Sequence, residues 1–257
     1  MYNQLQLREI FHIEFLRWFT RKLKPHYYVL KGGVNLRFFY KSIRYSEDMD
    51  LDVQNISVFK LKDIVMDILT SKSFQETLVS YGIQKVVPPN ISKAKQTETT
   101  QRFKIHLLTV TKEDLFTKIE FSRRGIKEGV VVEALPDSII RVYKTLPVIV
   151  AHYDIYSTIK QKIDALLSRN TLQTRDIFDL FILSSQFSKK ESVNFNFANR
   201  LKKLSDVIIE VSFEQFRDTI LNYLPDEERQ FYNSAKIWDE IKLKVINFLE
   251  EISQYEK

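Results

Sequence analysis

Tyr27 to Val53 reads YYVLKGGVNLRFFYKSIRYSEDMDLDV, and the fold of the chain turns on this stretch. Tyr27 to Leu30 is a short apolar run that predicts a buried strand. Lys31, Gly32 and Gly33 break it, and Val34 to Tyr40 predicts a short helix after the glycines. Met49, Leu51 and Val53 then alternate with Asp48, Asp50 and Asp52. That period of two predicts a strand with one acidic face.

On a strand, residues two apart point to the same side, so the three aspartates place their carboxylates in a row. Like charges at that spacing repel unless solvent or a cation separates them. Hard oxygen ligands in such a row suit Mg²⁺, which takes one or two carboxylates together with substrate phosphates. Three aspartates facing water on an open strand account for the same pattern. The glycines shift the balance. A strand that ends in Gly-Gly and enters a helix lets backbone N–H groups approach a phosphate, and the helix N-terminus adds its positive end. Glu120, in Thr117-Lys118-Ile119-Glu120-Phe121-Ser122, alternates with apolar neighbours on a further strand. It is either a third carboxylate for two-metal phosphoryl chemistry or a surface glutamate paired with Lys118 or Arg123.

Working outward, Gln4 to Lys24 predicts a helix, with Leu7, Ile10, Phe11, Phe15 and Phe19 at helical spacing and Pro25 as its stop. Phe59 to Leu69 predicts an amphipathic helix, and Pro88 to Thr100 a polar loop. Phe103 to Val110, Phe116 to Phe121, Val130 to Ala134 and Pro147 to Ala151 predict strands. Beyond His152 the pattern turns helical: Ser157 to Leu167, Arg175 to Ser185, Phe213 to Leu224 and Glu228 to Tyr255. The expected fold class is therefore α+β. A mixed sheet with helices forms an N-terminal lobe, residues 1–150, and a helical bundle forms a C-terminal lobe, residues 151–257.

With 257 residues, 44% of them hydrophobic and 28% charged, the chain has the composition of a globular protein of one large or two small domains. The formal charge of +6 points to polyanionic partners such as nucleotides or nucleic acid. The absence of cysteine excludes disulfides, thiolate zinc sites and thiol catalysis, and fits a reducing cytoplasm. Arg8, Glu9 and Glu14 interrupt the first helix, so it does not read as a signal peptide, and no stretch is apolar over the length of a membrane span. His12, His26, His106 and His152 show no ligand spacing.

Two segments of the second lobe carry charge in patterns that bear on chemistry. Lys162 and Arg169 are seven apart and share a helix face, where a cationic row facing the acidic strand would clamp phosphates. Arg175 and Asp179 stand at i, i+4 and are placed to pair. Asp176 is the candidate for chemistry and Asp179 for structure. In the last helix Trp238, Ile241, Val245, Phe248 and Ile252 form a seam that packs on its own chain or, less often, on a partner.

The segments Lys31-Gly32-Gly33-Val34-Asn35-Leu36-Arg37 and Arg44-Tyr45-Ser46-Glu47-Asp48-Met49-Asp50-Leu51 resemble the first motif of the AbiEii/AbiGii toxin nucleotidyltransferases. Lys162-Ile163-Asp164-Ala165-Leu166-Leu167-Ser168-Arg169 and Arg175-Asp176-Ile177-Phe178-Asp179-Leu180 resemble two further motifs, in the family's order. The resemblance implies a DNA polymerase β-type nucleotidyltransferase fold and transfer of a nucleoside monophosphate from a nucleoside triphosphate. It implies an RNA acceptor, in some members the 3′ end of tRNA, and a role as a toxin or in abortive infection with an antitoxin partner. It also implies that Asp48, Asp50 and Glu120 hold two Mg²⁺ ions. Lys31, Gly32, Gly33, Arg44, Ser46, Lys162 and Arg175 would bind the nucleotide. Asp48, Asp50, Lys162, Asp176 and Glu120 would form the catalytic set, with the helical lobe completing the active site. Glu120 departs from the aspartate usual at that place. A non-catalytic nucleotide- or RNA-binding module, or a metal-dependent nuclease using the same carboxylates, are the alternatives.

Overall fold

The computed structural model describes residues 2–169, 173–188, 195 and 197–254. The alternation of apolar and acidic residues after the glycine pair becomes a strand at the centre of a seven-stranded mixed sheet. The strands are β1 (Tyr28–Lys31), β2 (Asp48–Val53), β3 (Ile83–Val87), β4 (Thr100–Thr109), β5 (Asp114–Ser122), β6 (Val130–Ala134) and β7 (Ile149–Tyr153), in the order β3-β4-β5-β2-β1-β7-β6. The pairs β2–β5 and β1–β7 are parallel and the others antiparallel. The helices are α1 (Gln4–Lys22), α2 (Gly32–Phe39), α3 (Val58–Thr70), α4 (Lys72–Val79), α5 (Asp137–Tyr143), α6 (Ile155–Ser168), α7 (Thr174–Ser184), α8 (Leu201–Glu210), α9 (Phe213–Ile220), α10 (Asp226–Tyr232) and α11 (Ala235–Ser253). The α+β class expected from the sequence is what the structure shows. Among the described residues no helix is long and apolar enough to cross a membrane.

The chain divides into two compact units. One comprises Met1–Phe39 and Tyr45–Tyr153, the other Tyr40–Arg44 and Asp154–Lys257. A boundary at residue 150 would cut β7, which continues to Tyr153 because its whole length pairs with β6. Tyr40 to Arg44, between α2 and β2, belongs with the helical unit, a detour that linear composition does not reveal.

In the first unit the apolar faces of β1, β2, β4 and β5 pack on α1, α3 and α4. Met49, Leu51, Phe103, Ile119 and Phe121 are completely buried there, together with Phe11, Phe15 and Phe19 of α1. Asn3 starts α1 with a reciprocal cap to Gln6. The alternate residues of β2, the aspartates, therefore point to the opposite side of the sheet. In the helical unit α6, α7, α9 and α11 surround a core in which Trp238 stacks on Phe216 at 4.4 Å and its indole N–H donates to Val211 O at 3.0 Å. The seam Trp238, Ile241, Val245, Phe248 and Ile252 is buried within this unit. The helix expected from Glu228 to Tyr255 is two helices, because the chain leaves helical geometry at Asn233 and Ser234 caps α11; Tyr255 lies outside the described residues. Helices α4, α5 and α8 and strand β3 are not among the elements expected from the sequence, although Leu201, Leu204 and Ile208 of α8 recur at helical spacing.

Candidate active site

Gly32 follows the last residue of β1 with φ at +70°, the left-handed region that glycine enters without a Cβ penalty. It opens α2, so the first turn of that helix begins beside β2. A Cβ at Gly32 would stand 2.9 Å from Oδ2 of Asp50. Gly33 does not share the positive φ, so only the first glycine of the pair is needed for the turn.

The three aspartates of β2 have different surroundings. Asp52 is buried, accepts from Lys31 Nζ at 2.5 Å and from the Tyr153 hydroxyl at 2.7 Å, and so ties β1, β2 and β7 together. Asp48 is half-buried, with Oδ2 at 2.9 Å from Lys118 Nζ, and its Oδ1 is buried without a hydrogen-bond partner. Asp50 is half-buried between them and lies directly across from Glu120 in the β2–β5 register. Burial pushes the Asp50 carboxyl above its usual range; Lys31 and Lys118 pull it down, while Glu120 and Asp48 push it up.

Glu120 is on the same sheet face as Asp50, but Arg102, its cross-strand neighbour on β4, donates to it at 2.7 Å. Lys118 stands 3.9 Å from it on the other side. Arg123 is engaged elsewhere, with Gln101 and Ile56 O. Among the described residues no three carboxylate or imidazole groups are gathered to hold a metal as they stand. Asp48 and Asp50 nevertheless fit a divalent cation. Both are hard oxygen donors two residues apart on one strand face, and Asp48 Oδ1 is orphaned. The absent side chain at Gly32 leaves room beside Asp50 Oδ2. Glu120 would have to leave Arg102 to join them.

Ser46 donates from its hydroxyl to Asp48 O at 2.8 Å and sets the entry into β2. Thr117 donates to Glu47 O at 2.7 Å and sits 3.0 Å from His12 Nε2. The threonine proton is committed to Glu47, so His12 donates to Thr117 through a neutral ring. Burial, with Arg8 nearby, pushes its pKa down to about 3.

The helical unit holds a second cluster. Asp179 is fully buried and accepts from Arg44 at 3.0 and 3.1 Å, and Lys162 Nζ lies 2.7 Å away. Lys162 also donates to Asp176 at 2.9 Å, and Arg169 bonds the other oxygen of Asp176. Burial disfavours charge on both Lys162 and Asp179. For Lys162 the carboxylates of Asp179 and Asp176 outweigh that penalty and hold its pKa above the usual lysine range. For Asp179 the cations Arg44 and Lys162 do so and hold its pKa below the usual carboxylate range. Lys162 and Arg169 do share a side, but both turn onto Asp176. Asp179 does not pair with Arg175, which is exposed; its partners are Arg44 and Lys162.

The sequence-derived residues thus fall into two groups, Lys31, Gly32, Gly33, Ser46, Asp48, Asp50 and Glu120 in one unit and Arg44, Lys162, Arg175 and Asp176 in the other. Arg102 and Tyr153, which hold Glu120 and Asp52, carried no signal, because strand register is not written in either segment. Lys118, two residues before Glu120, was readable as its same-face neighbour.

The fold is similar to that of solved nucleotidyltransferases. A crystal structure of a candidate nucleotidyltransferase from H. pylori superposes with a TM-score of 0.63 at 19% identity, covering 99% of this chain and 96% of that one. JHP933 from Helicobacter pylori gives 0.58 at 20% identity, covering 99% and 97%. MenT4, a nucleotidyltransferase toxin from Mycobacterium tuberculosis, gives 0.61 at 14% identity, covering 98% and 86%. No curated protein matches the chain. The model of the AbiEii nucleotidyl transferase toxins of type IV toxin–antitoxin systems matches residues 14–245, so the chain belongs to that family and is a nucleotidyltransferase.

Proposed function

We propose that the protein moves a nucleoside monophosphate from a nucleoside triphosphate to the 3′ end of an RNA, tRNA in the first instance. In this reading it uses Mg²⁺ and acts in the cytoplasm as the toxin of a toxin–antitoxin pair. The observation that carries the reading is the juxtaposition of Asp50 Oδ2 with the bare Cα of Gly32, beside Asp48 with its unpartnered Oδ1. Asp48 and Asp50 would hold the metal, with Glu120 as a further ligand once freed from Arg102. Bound there, the ion would supply positive charge to the reacting phosphate and lower the pKa of the attacking hydroxyl. Gly32 keeps the space beside Asp50 clear, and N–H groups of the first turn of α2 offer hydrogen bonds to triphosphate oxygens. Lys31 and Lys118 leave their carboxylates for phosphate as the anionic substrate arrives. Ser46 holds Asp48 in place through its backbone. In the helical unit the motif match supports Lys162 and Arg175 as phosphate contacts and Asp176 as a catalytic carboxylate, with Arg44 fixing Asp179 beneath them.

The test is incubation of the purified protein with Mg²⁺, a tRNA pool and each labelled nucleoside triphosphate. Extended, labelled RNA that disappears with Asp50→Ala supports the proposal. Shortened RNA would indicate a nuclease, and nucleotide binding without turnover a non-catalytic module; either overturns it. Growth arrest on expression, relieved by the product of an adjacent reading frame, tests the toxin–antitoxin part.

A further inference from the structure

The two edges of the sheet are built differently. The β3 edge shows a register shift between Ile83 and Lys85, exposes Gln84 and Lys85, and runs into Pro88 and Pro89. Bulges, lysines and prolines are the devices by which natural sheets prevent edge-to-edge pairing. Strand β6 itself has none of them, and its proline, Pro136, stands two residues beyond its end. Its sequence is Val130-Val131-Val132-Glu133-Ala134, it pairs in unbroken register with β7, and Val130 and Val132 are 38% and 50% exposed. Ile149, opposite Ala134 on β7, is 61% exposed on the same face.

The direction of the free hydrogen-bonding groups follows from the register. Leu135 N donates to Val148 O at 2.9 Å, so this pair is of the hydrogen-bonded kind. Such pairs alternate along an antiparallel ladder. Glu133 and Val131 therefore bond inward to β7, while Val130, Val132 and Ala134 direct N–H and C=O outward. Glu133, the one charged residue of the strand, lies 3.6 Å from His152 of its own sheet.

We propose that β6 pairs antiparallel with β6 of a second copy of this chain, about a two-fold axis through Val132. In that register the outward groups of Val130 meet those of Ala134 and Val132 meets Val132, so every outward donor finds an acceptor. The side chains brought together on that face are Val130, Val132 and Ala134. The flanks are complementary as well. Exposed Lys127 precedes the strand, and exposed Asp137, paired with Arg141 of its own helix at 3.1 Å, follows it, so the antiparallel arrangement brings Lys127 toward a carboxylate at both ends. A two-fold contact of this kind closes on itself and stops at a dimer. A five-residue strand pair buries less than the roughly 800 Å² per partner of a standard interface, which places the dissociation constant at about 1–100 µM.

Sedimentation velocity from roughly 1 to 300 µM is the test, since it brackets that affinity. The expected result is a monomer that becomes a dimer as concentration rises. Val132→Pro removes an outward N–H without touching the inward bonds, since its own amide does not pair with β7, and should shift the midpoint at least tenfold. Val132→Lys should do the same by charge repulsion. Lys127→Glu should weaken the dimer, and Lys127→Glu with Asp137→Lys should restore it. Amide exchange at Val130, Val132 and Ala134 should slow in the dimer. A chain that stays monomeric throughout, or a dimer indifferent to both Val132 variants, overturns the proposal.

Discussion

Gly32 and Asp50 are fitted to one another: a Cβ on the glycine would stand 2.9 Å from Oδ2 of the aspartate and 3.4 Å from its Cβ. The turn into α2 and the carboxylate on β2 are therefore a single constraint. Gly32→Ala carries the left-handed backbone penalty of about 1–2 kcal/mol and, in addition, the collision with the carboxylate. In an Asp50→Ala background the collision is gone and the backbone penalty stays. Urea unfolding of the two single variants and the double variant should show a coupling of about 1 kcal/mol. Equal costs of Gly32→Ala in both backgrounds would mean that the two residues do not share the space.

Under the proposed function, Asp50 is a site where function opposes stability. Its pKa is raised in the folded state, so its charged form weakens the fold. That penalty is absent below the ordinary value of 3.8, grows as pH rises through it, and is complete above the folded-state pKa. Asp50→Asn should therefore raise the melting temperature at neutral pH in the absence of divalent ions and abolish nucleotidyl transfer. Added Mg²⁺ should raise the melting temperature of the natural protein more than that of the variant. A variant less stable than the natural protein in chelator would contradict this account.

The second cluster should separate structural from exposed charge. Asp179→Ala removes the fully buried carboxylate that Arg44 and Lys162 share and leaves Lys162 with Asp176 alone, a change that costs about 3–5 kcal/mol. Arg175→Ala, at an exposed position, should change stability by less than about 0.5 kcal/mol while raising KM for the nucleotide. Because the folded-state pKa of Asp179 lies below 3.8, its contribution is present above pH 3.8 and is lost as pH falls below that value. Chemical denaturation of both variants, with nucleotide titrations on Arg175→Ala, checks both halves.

His12 supplies a pH dependence of its own. The unfolded chain binds a proton near pH 6.5, whereas the folded chain resists protonation down to about 3. Its contribution to stability is intact above 6.5 and is lost toward pH 3, at about 1.4 kcal/mol per pH unit. His12→Gln keeps a donor for Thr117 and cannot titrate. Its stability should fall less steeply between pH 6.5 and 3; curves that run parallel to the natural protein over that range would exclude His12 as the cause.

Alternation along Met49 to Val53 was enough to place three aspartates on one side of a strand, because side-chain direction on a strand is a local property of the backbone. The pair Gly32-Gly33 marked the turn for the same kind of reason, and three ordered motifs carried the family. Which of the aspartates is free, which is tied down and which cation answers each of them was decided elsewhere. Lys118 and Arg102 reach Asp48 and Glu120 through strand register, and Arg44 reaches Asp179 across 135 positions of sequence. A segment specifies the face on which its side chains stand. Their neighbours across the sheet or the helix bundle depend on how distant segments bury their apolar faces together, and that is settled only when the whole chain packs.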